Sequence, residues 1–228
     1  MLINYFKIAW RNFSKHKLNS FINILGLSVG VTVCLLIIFF IKYENTWDKM
    51  HRKSDLLYRV NEVQDFPGSS VMKVAFTMFP MGPTIKQEFP QVDNFTRLFP
   101  SSAKQISNGD NKLILQQAFW VDQSFFEMFD FKSIDGDIKS ALLEPNTAVL
   151  TENAAKNIFG TTNVVGKTFL RDTTPFKVNA VLKDIPENSH LQFDALFSIT
   201  TISDGYMENW GENNSITYLL LKPGTNPA

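Results

Sequence analysis

The sequence predicts an α+β fold: one N-terminal transmembrane helix followed by a mixed α+β extracytoplasmic domain. Residues 18–41 carry no charged side chain, which indicates a membrane span. The remainder alternates β-rich runs with short helical stretches, a pattern typical of α+β domains. Hydrophobic residues make up 44% of the 228 residues, and 21 residues are Phe, so the domain can bury a sizeable core.

The formal net charge of zero hides an asymmetry along the chain. Residues 1–43 hold five basic side chains and no acidic one, whereas residues 44–228 hold the other 17 basic and all 22 acidic side chains. A basic head on a mildly acidic body argues against nucleic acid as a partner and favours a membrane. One Cys and three His are too few for a disulfide scaffold or a cysteine-rich zinc module, so we expect no metal site.

Residues 21–41 form a strongly apolar run whose polar members are Asn23, Ser28 and Thr32. As a helix this run reaches about 31 Å, close to the roughly 30 Å hydrocarbon core of a bilayer. A buried core helix is the alternative, but a soluble helix of this length without a polar face is uncommon. A cleaved signal peptide has a shorter apolar region and a small-residue cleavage site, which this run lacks. We therefore predict a retained transmembrane anchor over residues 18–43.

The orientation of this helix is not decided by charge, because basic residues are balanced on its two sides. A long C-terminal part can translocate regardless of its charge, which favours a cytoplasmic N-terminus. The predicted organisation is an interfacial helix over residues 1–17, the transmembrane helix over 18–43 and an extracytoplasmic domain over 44–228.

A face of small residues on the predicted span offers a candidate helix-packing site. Gly26 and Gly30 are four residues apart and are flanked by Ser28 and Thr32. This spacing lets the backbone of another membrane helix approach closely. Glycine is also frequent in membrane helices generally, so both interpretations stay open.

The first seventeen residues predict a basic amphipathic helix in the cytoplasmic membrane interface. Apolar and basic side chains recur on opposite sides of a 3.6-residue helix, and such helices place their cations toward anionic headgroups. An ordinary solvated helix is the alternative. The candidate interfacial residues are Phe6, Trp10 and Phe13 on the apolar side and Lys7, Arg11 and Lys15 on the basic side.

The body of the chain predicts seven strands and four short helices. The strands are expected at residues 56–63, 94–99, 113–121, 147–151, 167–171, 176–182 and 215–221. Helices are expected at residues 83–89, 123–129, 138–143 and 152–159. Asp122, Asp137 and Thr151 are the expected N-caps of the last three helices, and Gly160 is expected to end the last one.

The segment from Gly160 to Thr168 superficially matches a phosphate-binding loop, but its spacing is wrong. Five residues separate Gly160 from Gly166, where the motif needs four, and a strand rather than a helix is expected to come next. No Gly-x-Ser-x-Gly elbow exists, the histidines lack nucleophilic partners in the sequence, and Cys34 lies in the predicted span. We therefore expect no enzymatic activity and no cofactor.

Ordered motifs along nearly the whole chain resemble FtsX-like ABC transporter permeases, most closely the variety common in Bacteroidetes. The motifs are FKIAWRN at 6–12, FINILGLSVG at 21–30, YE at 43–44, WD at 47–48, LYRV at 57–60, FFEMFDF at 125–131, EPNTAVLTE at 144–152, FG at 159–160, VGKT at 165–168 and VLKDIPENSH at 181–190.

The resemblance implies a permease of the bacterial inner membrane whose first helix leads into a MacB-like periplasmic core domain. It also implies a cytoplasmic ABC ATPase partner, whose motion the membrane helices transmit for export, lipoprotein release or signalling. Further implied partners are a second permease in a homodimer or pseudo-dimer and a periplasmic adaptor or lipoprotein. The family's further membrane helices are not in the sequence, so we expect a domain truncated at its C-terminal end.

A single-span sensor or scaffold, whose extracytoplasmic domain binds a ligand or a protein, is the alternative function. The two hypotheses predict different continuations of the reading frame beyond residue 228. A permease predicts at least three further hydrophobic spans, whereas a sensor predicts one span and a cytoplasmic signalling domain.

Overall fold

The computed structural model describes residues 2–68, 70–101, 105–202 and 204–225, with the backbone alone at positions 2, 3, 6, 9, 13 and 204. The chain divides into two compact units, Met1–Trp47 and Asp48–Ala228.

The first unit contains two helices, α1 (Leu2–Lys15) and α2 (Lys17–Glu44). They are separated at His16, whose backbone leaves the helical region with φ −118° and ψ 57°. No residue of α2 is buried. Within the described residues, α2 is the one helix long and apolar enough to cross a membrane. Its exposed apolar side chains need a cover of lipid or of other helices.

The second unit confirms the predicted mixed α+β fold. Its described helices are α3 (Met81–Glu88), α4 (Phe125–Met128) and α5 (Glu152–Phe159). Its described strands are β1 (Leu57–Arg59), β2 (Glu62–Gln64), β3 (Met72–Val74), β4 (Thr77–Met78), β5 (Val92–Pro100), β6 (Gln105–Asn108), β7 (Asn111–Ile114), β8 (Ala118–Val121), β9 (Ser133–Gly136), β10 (Thr147–Thr151), β11 (Thr168–Arg171), β12 (Thr174–Leu182), β13 (Ala195–Ser198) and β14 (Asn213–Leu221).

Twelve of these strands form one mixed sheet in the order β1-β14-β5-β8-β13-β10-β12-β11-β6-β7, with β4 beside β14 and β9 beside β12. The β8/β13 and β10/β12 pairs are parallel, and the other described pairs are antiparallel. Strands β2 and β3 form a separate hairpin. All five residues of β10 are buried, which explains why its centre, residues 148–150, is continuously apolar instead of alternating with polar residues.

Two apolar clusters lie on opposite faces of the sheet, because successive side chains of a strand point to opposite sides. On β10, Ala148 and Leu150 belong to one cluster, and Val149 belongs to the other. The first cluster includes Ile158 of α5, and the second includes Phe125 of α4. The two short helices therefore cover different faces of the sheet.

Several predicted elements are confirmed closely, and α5 is the clearest. The Thr151 hydroxyl accepts a hydrogen bond from the Ala154 N–H at 3.3 Å, and Gly160 ends the helix with φ 74°. Strands β5, β10, β11, β12 and β14 and helix α3 lie within two residues of their predicted bounds.

Three predicted elements are wrong in extent or type. The 56–63 run divides between β1 and β2, and the 113–121 run divides between β7 and β8. The predicted helix at 138–143 is a series of turns. The Asp137 carboxylate accepts hydrogen bonds from the Lys139 N–H (3.1 Å) and the Ser140 hydroxyl (2.9 Å), so it stabilises a local turn instead of a helix.

The predicted capping role of Asp122 is also wrong. Its carboxylate accepts hydrogen bonds from the Arg97 N–H (2.7 Å) and from Arg97 Nη2 (2.6 Å). Both side chains are largely buried, 7% exposed for Arg97 and 12% for Asp122. The partner for Asp122 lies on β5, far away in sequence, so local sequence patterns could not identify it.

Candidate functional site

The segment from Asp48 to Lys53 follows α2 and its turn, and we name it the juxtamembrane joint. Asp48 begins the joint with a left-handed backbone (φ 56°), a conformation that Asp adopts more readily than most residues. Its N–H donates to the Asn188 carbonyl at 3.1 Å. Its carboxylate accepts from the His190 N–H at 3.0 Å and lies 2.6 Å from His190 Nδ1. Asp48 therefore fixes the joint to the 186–190 turn through backbone and side chain.

His190 extends this attachment to the sheet. Its Nε2 lies 2.7 Å from the hydroxyl of Tyr218, a buried residue of β14. Burial raises the pKa of Tyr218 to about 12, so the phenol stays protonated at neutral pH and can donate to the imidazole. With Nε2 as acceptor, Nδ1 carries the proton that faces Asp48. The three side chains form one hydrogen-bonded chain from the joint to β14.

His51 anchors the middle of the joint and is only 2% exposed. Its Nδ1 accepts a hydrogen bond from the Asp130 N–H at 3.0 Å, which requires a neutral imidazole at that nitrogen. The ring meets Phe129 and Phe131 edge-on, with centroids 5.1 and 5.3 Å away. Burial lowers the pKa of His51, although the charges of Asp48 and Asp130 act in the opposite direction.

Arg52 and Lys53 attach the end of the joint to the residues around α4. The Arg52 N–H donates to Asp130 Oδ2 (2.8 Å), and its guanidinium donates to Oδ1 through Nε (3.0 Å) and Nη2 (2.8 Å). Burial alone would raise the pKa of Asp130, but the hydrogen bonds and charge of Arg52 outweigh it and lower that pKa. Lys53 Nζ donates to the Glu127 carbonyl at 2.8 Å.

Phenylalanines of the 125–131 run pack against the joint, and we name this group the aromatic floor. Its members are Phe125, Phe129 and Phe131. The Phe125 and Phe131 rings stack with centroids 5.7 Å apart, and Phe131 meets Phe193 edge-on at 5.2 Å. Phe129 meets Tyr218 edge-on at 5.2 Å. Because α4 ends at Met128, the run turns back and places phenylalanines from both sides of the turn in one cluster. Such buried aromatic pairs have preferred geometries, and they give the joint a well-packed support.

The predicted helix-packing residues lie on α2 with their face open. A Cβ placed on Gly26 or Gly30 would meet nothing within 4 Å in the described structure. The Thr32 hydroxyl donates to the Ser28 carbonyl at 2.8 Å, so its donor is already hydrogen-bonded within the helix. Packing of a second helix on this face stays a prediction.

The predicted interfacial residues lie on α1. Lys7, Arg11 and Lys15 are exposed, and Trp10 is 69% exposed. The side chains of Phe6 and Phe13 lie outside the described residues. The interfacial position of α1 therefore stays a prediction.

The Gly160–Thr168 segment has the local structure expected from its sequence. Gly160 ends α5, and β11 begins at Thr168, so the segment leads from a helix into a strand. Lys167 Nζ lies 5.9 Å from the centre of the Phe159 ring, where it makes a cation–π contact. A phosphate-binding loop needs the opposite order, a strand leading into a helix.

The joint residues were not recognised as a site from sequence, although the signal was present. Asp48, the 125–131 run and His190 belong to three of the motifs that carry the family resemblance, and the structure brings them together. His51 lies in a charged stretch of sequence but is buried. Spacing could not reveal this site, because its parts lie about 80 and 140 positions apart in the chain.

The fold and the site together define an α+β domain that is firmly attached to the segment following a candidate membrane helix. The MacB-like periplasmic core domain family matches residues 20–228, and the chain belongs to this family of ABC transporter permease domains. This match confirms the resemblance to FtsX-like permeases. No curated protein matches the chain significantly.

Solved structures agree with this assignment. A domain of a Porphyromonas gingivalis protein described as a permease is similar with a TM-score of 0.69 and 25% identity, over 78% of this chain and 77% of that one. The periplasmic region of MacB from Actinobacillus actinomycetemcomitans has a TM-score of 0.52 and 17% identity, over 67% and 68% of the two chains. The extracellular domain of the ABC-type transporter YknZ from Gram-positive bacteria has a TM-score of 0.51 and 12% identity, over 74% and 83%. The last two likenesses concern the fold.

Proposed function

We propose that this chain is a membrane-anchored permease subunit of an ABC transporter, which transmits motion from a cytoplasmic ATPase into its periplasmic domain. The observation that carries the proposal is the juxtamembrane joint, which follows the candidate membrane helix and is bonded to the domain at Asp48, His51 and Arg52. Family membership favours a permease over a single-span sensor.

The joint is connected to the rest of the domain at three places, and each can carry a displacement of the joint into the domain. Asp48 leads through His190 to β14, His51 leads to the residues after α4, and Lys53 leads to α4 itself. Displacement of the joint would therefore move the sheet and α4 together. The role we propose needs no catalytic residue in this chain. Burial raises the pKa of Tyr218 to about 12, so this phenol stays protonated near neutral pH.

We further propose a cytoplasmic N-terminus at the bacterial inner membrane. In this arrangement the cations of α1 face anionic lipid headgroups or the ATPase, and Gly26 and Gly30 receive a second permease helix. A periplasmic adaptor or lipoprotein is the corresponding partner of the outer domain, for export, lipoprotein release or signalling.

The test uses the full chain co-expressed with its ABC ATPase in cells. In a Cys34→Ser background, an Asp110→Cys variant should react with an impermeant maleimide in intact cells, and an Asn4→Cys variant should react only after permeabilisation.

The ATPase should co-purify with the chain. A Lys7→Glu/Arg11→Glu/Lys15→Glu variant should lose the ATPase or its membrane contact, while Ile8→Ser, off the apolar stripe, should retain both. Reversed labelling, or an ATPase that never associates, would contradict the proposal.

A further inference from the structure

A half-open cavity of about 450 Å³ lies beside the juxtamembrane joint. Met50 of the joint forms part of its wall. Residues 130–132, Lys183, Asp184 and Pro186 form the rest. Its size is within the range of roughly 300–1,000 Å³ typical of small-molecule sites. Because Met50 and Phe131 both line the cavity, an occupant would touch the joint and the domain at once.

The carboxylates that line the cavity have hydrogen-bond partners, and its lysine ammonium groups have none among the described residues. Asp130 is bonded to Arg52, and the Asp184 carboxylate accepts a hydrogen bond from the Asn153 N–H at 2.8 Å, in the first turn of α5. Lys132 and Lys183 are exposed, and neither ammonium has an ion-pair or hydrogen-bond partner within the described part of the chain. Asp184 keeps its negative charge, because a backbone N–H does not neutralise a carboxylate. With Asp130 paired to Arg52, two ammonium groups stand against one carboxylate, so the net charge of the cavity lining is positive.

The two lysines are held next to each other by the backbone. The Lys183 N–H donates to the Lys132 carbonyl at 2.8 Å, directly beyond the pairing of β9 with β12. Both residues line the same cavity. Two neighbouring ammonium groups fit the several oxygen atoms of a carboxylate, sulfate or phosphate group.

The remainder of the wall is apolar. Met50, Phe131 and Pro186 supply it, and most of the cavity surface is hydrophobic. Methionine has a flexible side chain that adapts to ligands of different shape. A charged group alone would leave this surface exposed to water, whereas a ligand with an apolar tail would cover it.

We propose that this cavity binds an amphiphilic anion, with its acidic head on Lys132 and Lys183 and its tail against Met50, Phe131 and Pro186. Two sources share this chemistry: a free acyl carboxylate and an anionic lipid of the bilayer. Binding here does not depend on transmission by the joint, so a negative result would leave the proposed function untouched.

The test is lysine footprinting of the full chain in nanodiscs of neutral phosphatidylcholine. Octanoate is added, the chain is treated briefly with an acetylating reagent, and acetylation is read at each lysine by mass spectrometry. Saturating octanoate should slow acetylation of Lys132 and Lys183 by about fivefold or more. The exposed Lys139 and Lys177 should react at an unchanged rate and serve as internal controls.

Matched probes separate the head from the tail. Acetate has the head without the tail, octyltrimethylammonium has the tail with the opposite charge, and neither should protect the two lysines. The Met50→Gln variant should weaken octanoate binding about tenfold, because it places an amide in the apolar wall. Lys132→Gln should weaken protection of Lys183 similarly, while Lys139→Gln should change nothing.

A second arm identifies the source of the ligand. If nanodiscs containing anionic phosphatidylglycerol protect Lys132 and Lys183 without octanoate, the ligand is a bilayer lipid. If protection needs octanoate, the ligand is a free amphiphile. The proposal is overturned if neither octanoate nor phosphatidylglycerol protects the two lysines, if acetate or octyltrimethylammonium protects them equally, or if Lys139→Gln weakens protection as much as Lys132→Gln.

Discussion

Two arginine–aspartate pairs in the second unit differ in their surroundings. The Arg97–Asp122 pair lies within the sheet, with side chains 7% and 12% exposed, whereas Arg52 at the joint is 87% exposed and Asp130 is 30% exposed. Both pairs have close contacts, at 2.6 and 2.8 Å. From these distances alone, the two pairs would be expected to contribute equally to stability. Burial distinguishes them, because removing one member of a buried pair leaves the other charge unpaired and away from water.

The difference extends to the regions that contain these pairs. The sheet is held by two continuous apolar clusters, and the joint is held by polar contacts over an aromatic floor. The exposed ion pair at the joint contributes little to stability, whereas breaking the buried pair in the sheet costs more. We infer that the sheet provides most of the stability of the domain, and that the joint couples the domain to the segment that follows α2.

The largest expected effect is that of Arg97→Met, which leaves Asp122 buried without its cation. We expect the free energy of unfolding to fall by about 3–5 kcal/mol, the range for breaking a buried pair. The Arg97 guanidinium also lies 4.3 Å from the centre of the Phe79 ring, a contact that methionine replaces in part. Denaturant unfolding of the full chain in detergent micelles measures the change. A loss no greater than that of an exposed-site control, Lys112→Met on β7, would show that burial does not separate the two pairs.

An intermediate effect is expected from pH at His51. The pKa of His51 in the folded protein is lowered by burial, so below about pH 6.5 the unfolded chain binds a proton that the folded chain does not. Stability should fall as pH drops below about 6.5, by at most about 1.4 kcal/mol per pH unit, and stop falling below the lowered native pKa. Unfolding curves at several pH values measure this slope.

The His51→Phe variant should reduce that pH dependence, because it removes the titrating group while keeping a ring against Phe129. The exposed His16→Gln, at a position in the first unit, serves as the control variant. An equal slope in the wild type and in His51→Phe would assign the pH dependence to other groups.

The smallest effect on stability is expected from Arg52→Gln. The Arg52 side chain is largely exposed, so we expect no resolvable change in the denaturant midpoint. The local change should nevertheless be measurable, because Arg52 lowers the pKa of Asp130. In the variant the Asp130 carboxyl should titrate at a higher pH, as followed by NMR. A midpoint shift as large as that of Arg97→Met would contradict the contrast between the two pairs.

Local sequence patterns predicted the elements whose structure depends on near neighbours. The α5 helix was predictable because Thr151 and Gly160 mark its ends. Strand β10 was predictable because an apolar run at 148–150 lies between two β-forming threonines. The turns after Asp137 were not, since an Asx turn and a helix N-cap use the same side-chain chemistry. The split of the 113–121 run also escaped prediction, because both parts are β-forming and tertiary pairing alone separates them.

The joint could be predicted from sequence only in its parts. The 47–48, 125–131 and 181–190 motifs carried the family resemblance, but periodicity does not report that distant motifs meet in space. His51 is the clearest example of a residue whose burial the local sequence does not predict. Its neighbours Lys49, Arg52 and Lys53 predict an exposed stretch, and the aromatic floor that buries it comes from residues about 80 positions away.

The most direct test of transmission compares hydrogen exchange with and without ATP in the full chain, assembled with its ATPase in nanodiscs. We expect ATP to change exchange in the joint, in the 186–190 turn and in β14. In an Asp48→Asn/His190→Gln variant the change should stop at the joint, because Asn tolerates the left-handed backbone but the hydrogen-bonded connection through His190 to Tyr218 is lost. The control Asp137→Asn, at an exposed turn, should behave as the wild type. An ATP-driven change that still reaches β14 in the double variant, or that never reaches it in the wild type, would contradict transmission through the joint.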